Sequence, residues 1–379
     1  MHSLIMPLNQ SLQADLTANG PIPFAEFMQQ ALYSPKWGYY NRLNPVLGAD
    51  GDFITAPELT PLFGYTLANQ CEAILKQLSQ PDLFEFGAGT GRLCIDILTR
   101  LETLKQLPEI YHILEPSGAL RALQQQNIQH ALPPHLASIV QWHTTLPDTP
   151  FEGIIIANEI LDAMPVHRFL KTKDGVFESM IGLDKNKQLI EQFEPCQNKA
   201  LQQHVEQVVQ HDNLPYASEA NLSIQPWLNT CFSLLTRGVV LLIDYGFPQH
   251  EYYHPDRHQG TLMCHYQHTA HANPLLHPGD EDITAHVDFT HVADSALHAG
   301  FQVTGYTNQA AFLLGNGLLS LTDALPHHTK EKINAQQAVK KLLQPHEMGE
   351  LFKVMGLSKA FDIPLEGFQL HDKRASLGP

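Results

Sequence analysis

Residues 83–93 read LFEFGAGTGRL: a short apolar run, then glycines at 87, 89 and 91, then a segment with helical apolar spacing. A strand that turns into a helix over glycines lets backbone approach a nucleotide-like ligand at the edge of a parallel α/β sheet. From about residue 81, short apolar runs alternate with helical segments, the pattern of such a sheet. Strands are expected at 82–86, 110–115, 138–142, 152–157 and 239–244, with helices at 90–102 and 117–127.

A dinucleotide-binding turn needs a third glycine where Arg92 stands. The spacing present suits S-adenosylmethionine instead, a ligand with an ammonium, a ribose diol and a sulfonium but no phosphate. Glu85, at the end of the first strand, is an acceptor for the ammonium. Gly87, Ala88, Gly89, Thr90 and Gly91 form the backbone turn against the methionine moiety. Glu115 ends the next strand, 24 residues after Gly91, where an acceptor for both ribose hydroxyls belongs. Trp142, past the third strand, is placed either to stack on adenine or to fill the core. The bland alternative is an ordinary strand–helix turn with Glu115 on the surface.

Composition narrows the partners. With 39 acidic and 23 basic residues and a net charge of −16, the chain is a poor match for nucleic acid, which is bound by neutralising phosphates. Five scattered cysteines without a CxxC argue for a reducing compartment. No run approaches the ~18 apolar residues of a spanning helix, and the first twenty residues lack a basic n-region. The expected location is the cytoplasm, with no membrane insertion; a homodimer is left open.

Two regions break the α/β alternation. The fourth and fifth strands lie about 80 residues apart, and the gap holds three strand-like stretches followed by helices near 199–210 and 225–236. A second insertion, about 247–287, is rich in His, Pro and Gly. Its His265, His268 and His271 suggest a metal site, but three-residue spacing rotates around a helix and no HExxH is present, so no metal is expected. Beyond it, a helix at 288–299, a strand at 301–306, helices over 309–343 and a strand at 349–355 complete the pattern. Ahead of the sheet come a helix at 22–33, a long loop and a helix at 61–79. The expected division is an N-terminal helical cap and lid loop over 1–80, then a core over 81–379 with insertions at about 166–236 and 247–287.

These stretches also carry a family signature. ALYSPKWGYYNR and GDFITAPELTPLFG precede the glycine turn; ANEILDAMPVHRF, LIDYGF, GTLMCHYQHT, DITAHVDF and MGELFKVM follow it in order. Over residues 22 to 356 the chain resembles the methyltransferases that include the mitochondrial complex I assembly factor and its bacterial relatives. The resemblance implies a Rossmann-like class I core, mostly parallel and seven-stranded with one antiparallel strand, under a helical N-terminal cap. It also implies S-adenosyl-L-methionine as cofactor. The mitochondrial member methylates an arginine on a protein subunit of the respiratory complex, so a protein arginine acceptor is the expectation. A small-molecule methyltransferase and a non-catalytic assembly chaperone stay open beside it.

If arginine is the acceptor, its guanidinium stays charged and carboxylates are its natural clamp. The fourth strand ends in IIIANEILDAMPV, which puts Asn158, Glu159 and Asp162 at the carboxyl edge beside the cofactor. Glu159 is the first choice for the clamp and Asp162 the second; helix capping is the alternative for both. Asn158 orients ligand through its amide. Asp244 and Tyr245 face the same edge from DYGF, with Tyr245 as a wall of the substrate channel; DITAHVDF supplies Asp282, His286 and Asp288, with His286 as a base and Asp288 equally well placed to cap the following helix. Thr55 and Glu58, after Asp52 in the first loop, belong to a lid over the cofactor, unless Thr60 merely caps the next helix.

Overall fold

The computed structural model describes residues 7–41, 55–326 and 329–378. Its central sheet has seven principal strands: β1 Asp82–Phe86, β2 Tyr111–Leu114, β3 Val140–His143, β4 Phe151–Asn158, β5 Leu235–Phe247, β6 Gln302–Asn308 and β7 Phe352–Lys359. Their spatial order is β6-β7-β5-β4-β1-β2-β3. The first five run parallel, and β7 lies antiparallel between β5 and β6. Val287–Asp288 adds a two-residue parallel rung to the end of β5.

Near-continuous apolar sequence explains why β4 and β5 sit in the middle. Ile154, Ile155, Ile156 and Val239 to Ile243 are all buried, as strands covered on both faces must be. Alternate residues feed two cores. Ile154, Ile156, Leu241 and Val354 pack with helices Pro61–Leu75 and Arg92–Leu104. Ile155, Leu242 and Met355 pack with helices Ile224–Leu234 and Phe289–Ala299 through Leu228 and Val292. Helix Pro61–Leu75, counted with the N-terminal cap by position in the chain, therefore lies in the main core. Thr60 caps it, its hydroxyl accepting from the Leu62 N–H at 3.3 Å.

The first insertion forms an antiparallel sheet of its own from His167–Thr172, Gly175–Leu183, Leu189–Pro195 and Tyr216–Ala220. The N-terminal segment joins it, because Ile22–Pro23 pairs with Met180 and Ile181 before helix Phe24–Tyr33 begins. Helix Pro7–Asn19 was not expected from the sequence; Leu8, Leu12 and Leu16 put one narrow stripe into an otherwise polar segment and are buried. The second insertion is also more regular than its composition suggests. Met263–Tyr266, Thr269–His271 and Asp282–Thr284 make a three-stranded sheet. Gln267 and His268 form its tight turn with φ of +47° and +63°. Phe24, Phe27, Ile181, Cys264 and Ile283 share one core, so the N-terminal helices and both insertions stand together over the carboxyl edge of the main sheet.

Candidate active site

Where β1 ends, the chain turns through Gly87 and Gly91 with φ of +60° and +85°. The positive φ favours glycine at 87, and a Cβ there would sit 2.7 Å from Ile160 Cδ1, which would have to move aside. The turn opens on a cavity of about 710 Å³. Glu85, Gly87, Ala88, Gly89, Thr90 and Glu115 line one part of it; Gly91 stands behind as the N-cap of helix Arg92–Leu104.

Both acids here are held in place. Glu85 is buried and accepts from the Tyr111 hydroxyl at 2.7 Å; burial outweighs that bond and pushes its carboxyl up to about 7. Glu115 accepts from the Ser117 N–H at 2.9 Å and from Gln124 Nε2 at 3.0 Å, and burial again raises its pKa. Gln124 also reaches the Gly89 carbonyl at 3.0 Å, tying the acid to the glycine turn. Trp142 does not border the cavity. Its indole N–H donates to Gln124 Oε1 at 3.1 Å and its ring packs against the main core, so the core reading of this residue is the one realised.

Residues at the end of β4 and after it, from Asn158 to Ala163, build a second part of the wall. No helix follows β4, which removes the capping role for Glu159 and Asp162. Instead Glu159 adopts φ +54°, and its N–H donates to the Ile243 carbonyl at 2.8 Å. Such left-handed backbone at a non-glycine residue costs about 1–3 kcal/mol and clusters at functional sites. The turn is fastened from below by Asp244, whose carboxylate accepts from the N–H groups of Leu161 and Asp162 at 2.9 and 3.3 Å. The sequence placed Asp244 only at the shared edge; a buried acid at a strand terminus carries no signal of what it will hold.

Asn158, Glu159 and Asp162 all line the cavity. Burial first, then the charge of Asp162, pushes Glu159 up to about 8, although Asn158 Nδ2 and the backbone of Ala56 bond to it. Asp162 is raised by burial to about 6, while the Tyr245 hydroxyl donates to its Oδ2 at 2.6 Å. Asn158 Oδ1 and Asp162 Oδ1 are buried without a hydrogen-bond partner. Those orphaned acceptors, with a glycine cradle and two anchored acids, fit a ligand carrying ammonium, hydroxyl and cationic groups.

The roof comes from the N-terminal segment and the second insertion. Thr55 and Glu58 line the cavity, and Thr90 Oγ1 donates to Glu58 Oε1 at 2.5 Å; Asp52 lies outside the described residues. Tyr33, Tyr40 and Met263 also line it and were not anticipated. Tyr33 donates to the Ala163 carbonyl and Tyr40 to Asp282 Oδ1, each at 2.9 Å. Tyr245 and His286 meet edge to face at 5.0 Å, and burial lowers His286 to about 4, so its imidazole is neutral. Asp288 caps helix Phe289–Ala299 through the N–H groups of Thr290 and His291. The histidines of the second insertion diverge: His271 pairs with Glu281 at 3.0 Å, His277 stacks on Tyr266, and His268 sits in the turn.

A sheet in this order, with an acid-flanked glycine turn opening on a cavity at its carboxyl edge, defines a class I methyltransferase. Residues 66–307 match the model of a family of S-adenosyl-L-methionine-dependent methyltransferases, and the chain belongs to that family. A crystal structure of a Burkholderia thailandensis protein bound to S-adenosyl-homocysteine superposes with a TM-score of 0.93 at 38% identity, covering 98% of this chain and 96% of that one. The human protein arginine methyltransferase NDUFAF7, mitochondrial, is 28% identical over 93% of this chain and 83% of its own length. Its Drosophila melanogaster homolog is 28% identical over 92% and 84%. The protein is thus an S-adenosylmethionine-dependent methyltransferase. Among the described residues no helix is long and apolar enough to cross a membrane.

Proposed function

We propose that this methyltransferase modifies an arginine side chain of a protein partner, as the curated relatives named protein arginine methyltransferases do. The observation that carries the reading is the convergence of Glu159, Asp162 and Asp282 on one end of the cavity. Among the described residues the one Lys or Arg side chain that lines it, Arg92, is bonded to Asp96 at 2.9 Å. Three acids in a buried space call for a cation that does not lose its charge there, and a guanidinium keeps its proton where an ammonium would not.

Bound at the glycine turn, S-adenosylmethionine supplies an electrophilic methyl group. Glu85 and Glu115 receive the ammonium and the ribose hydroxyls, with Gln124 and Trp142 holding Glu115 in register. Glu159 and Asp162 accept from the guanidinium fork and turn one terminal nitrogen toward the methyl. Asn158 orients both ligands through its amide. Tyr245 fixes the Asp162 carboxylate, and Tyr40 fixes Asp282. Glu159, protonated at pH 7 in the free cavity, ionises as the guanidinium arrives. The acceptor protein, a respiratory-complex subunit by analogy with the mitochondrial member, loses hydrogen-bond donors but keeps its charge.

Titrating the protein, saturated with S-adenosylhomocysteine, with Gly-Arg-Gly and Gly-citrulline-Gly peptides tests the charge requirement. The arginine peptide is expected to bind and its neutral isostere to bind at least tenfold more weakly, about 1.4 kcal/mol. Equal affinities would remove the basis for a cationic acceptor.

A further inference from the structure

His286 borders two cavities. One is the site just described; the other is an enclosed space of about 10 Å³ that it shares with His204, Glu219, Tyr253, Asp288 and His291. That is about the room one water molecule needs. Of the polar atoms of these side chains, Nδ1 of His286, Nε2 of His291, Oδ2 of Asp288 and Oε1 of Glu219 are buried without a hydrogen-bond partner, the last 3.6 Å from Arg168 Nε. Leaving a buried polar group unmatched costs about 1–3 kcal/mol, so four of them on side chains that line a water-sized space favour a bound water over a dry packing void. A chain of bonds continues from it. His204 meets His291 edge to face at 4.9 Å and lies 3.0 Å through Nε2 from the Tyr253 hydroxyl, which donates to the Glu219 carbonyl at 2.9 Å. His291 is half-buried as a residue, while its Nε2 is buried.

We propose that this space holds one ordered water linking His286 to His291, and that the link carries the proton released by methyl transfer out of the active site. The balance requires such an exit. The acceptor's lone pair forms the new bond to the methyl carbon, the departing sulfur keeps the old bonding pair, and one N–H or O–H proton is left in the cavity. A carboxylate that takes this proton has to lose it before the next turnover. His286 is the residue common to both spaces, and its burial keeps it neutral, so it hands a proton on and does not store it. Arg257 and Lys353 lower it further, against a bond to the Thr261 backbone; burial lowers His291 as well, against a bond to the Asn221 backbone and the charge of Asp294. The inference rests on methyl transfer to a proton-bearing acceptor, not on arginine being that acceptor.

Two measurements on the full chain test it. A crystal structure with S-adenosylhomocysteine, at a resolution that orders buried waters, is expected to show one water within hydrogen-bond reach of His291 and of His286 or Asp288. A dry space overturns the proposal. In the second, tritiated methyl transfer into host-lysate protein is followed for the wild type and for His291→Ala, with His291→Gln as the better-folding substitute. The rate is expected to fall about tenfold with unchanged cofactor affinity, and added imidazole to restore it in His291→Ala. An unchanged rate, or a loss that imidazole leaves untouched in a folded variant, overturns the relay. Should the wild type label no lysate protein, the acceptor reading of the preceding section is what fails, and the crystallographic water alone decides this one.

Discussion

The Thr90 hydroxyl, in the glycine turn, donates to Glu58 Oε1 at 2.5 Å and so ties the short helix Ala56–Leu59 to the cofactor end of the cavity. The backbone of Ala56, in the same helix, bonds to Glu159. One turn of the N-terminal segment therefore touches both parts of the site. Thr90→Val keeps the shape and removes the bond. Hydrogen bonds to charged groups are worth about 1.5–3 kcal/mol, so cofactor affinity is expected to fall about tenfold or more, mainly through faster release. Titration calorimetry with stopped-flow displacement reads both, and an unchanged dissociation rate would show that this helix does not retain the cofactor.

Glu115, Gln124 and Trp142 form a line of bonds running away from the cavity. Glu115→Ala is expected to weaken S-adenosylmethionine binding about a hundredfold, the scale of losing two charge-assisted bonds. Trp142→Phe removes only the N–H that steadies Gln124, and a loss of about threefold is expected, on the scale of a weakened neutral hydrogen bond. If Trp142→Phe cost as much as Glu115→Ala, the indole would have to touch the ligand.

Burial raises Glu159 from an ordinary 4.5 to about 8, so the folded protein binds a proton that the unfolded chain has released. The stability from that proton is fully present below pH 4.5 and is lost as pH rises through 8. In the same window Lys353, which burial lowers to about 8, contributes the opposite slope, while Glu85 and Asp288, which burial raises to about 7, add to the fall. Thermal denaturation of the ligand-free protein is expected to show Tm falling across that window, and Glu159→Gln to flatten the fall. A slope unaltered by Glu159→Gln would mean the carboxyl is already ionised in the fold.

The same variant separates binding from chemistry. Glu159→Gln and Asp162→Asn keep size and polarity while removing charge at the acceptor end. Cofactor affinity is expected to stay within about threefold, while methyl transfer falls at least a hundredfold, the scale of losing a charge-assisted clamp. A parallel loss of cofactor binding, read by calorimetry, would assign these acids to the cofactor instead.

Much of this was legible in the sequence because it is written in local patterns. The strand–glycine–helix turn at 82–92, the acid ending β2 and the cluster after β4 all lie where strand ends put them. What the chain order hides are partnerships made by folding. Tyr33 and Tyr40 lie more than a hundred residues before Ala163 and Asp282, to which they bond, and nothing at helical or strand spacing marks them. The helix at Pro7–Asn19 escaped because three leucines in a polar segment give a weak amphipathic signal until the inserted sheet covers them. Trp142 illustrates the converse. An aromatic just past a strand has two plausible neighbours, and only Gln124 in place shows which it takes.

The destination of the methyl group decides whether arginine is the acceptor and Glu159 its clamp. The wild type and Glu159→Gln are incubated with labelled S-adenosylmethionine and host lysate, and the labelled peptides are sequenced by mass spectrometry. Methylarginine is expected on a small set of proteins, formed by the wild type and absent with Glu159→Gln. Label on lysine, on a carboxylate or in the small-molecule fraction, or methylarginine undiminished in the variant, would contradict it.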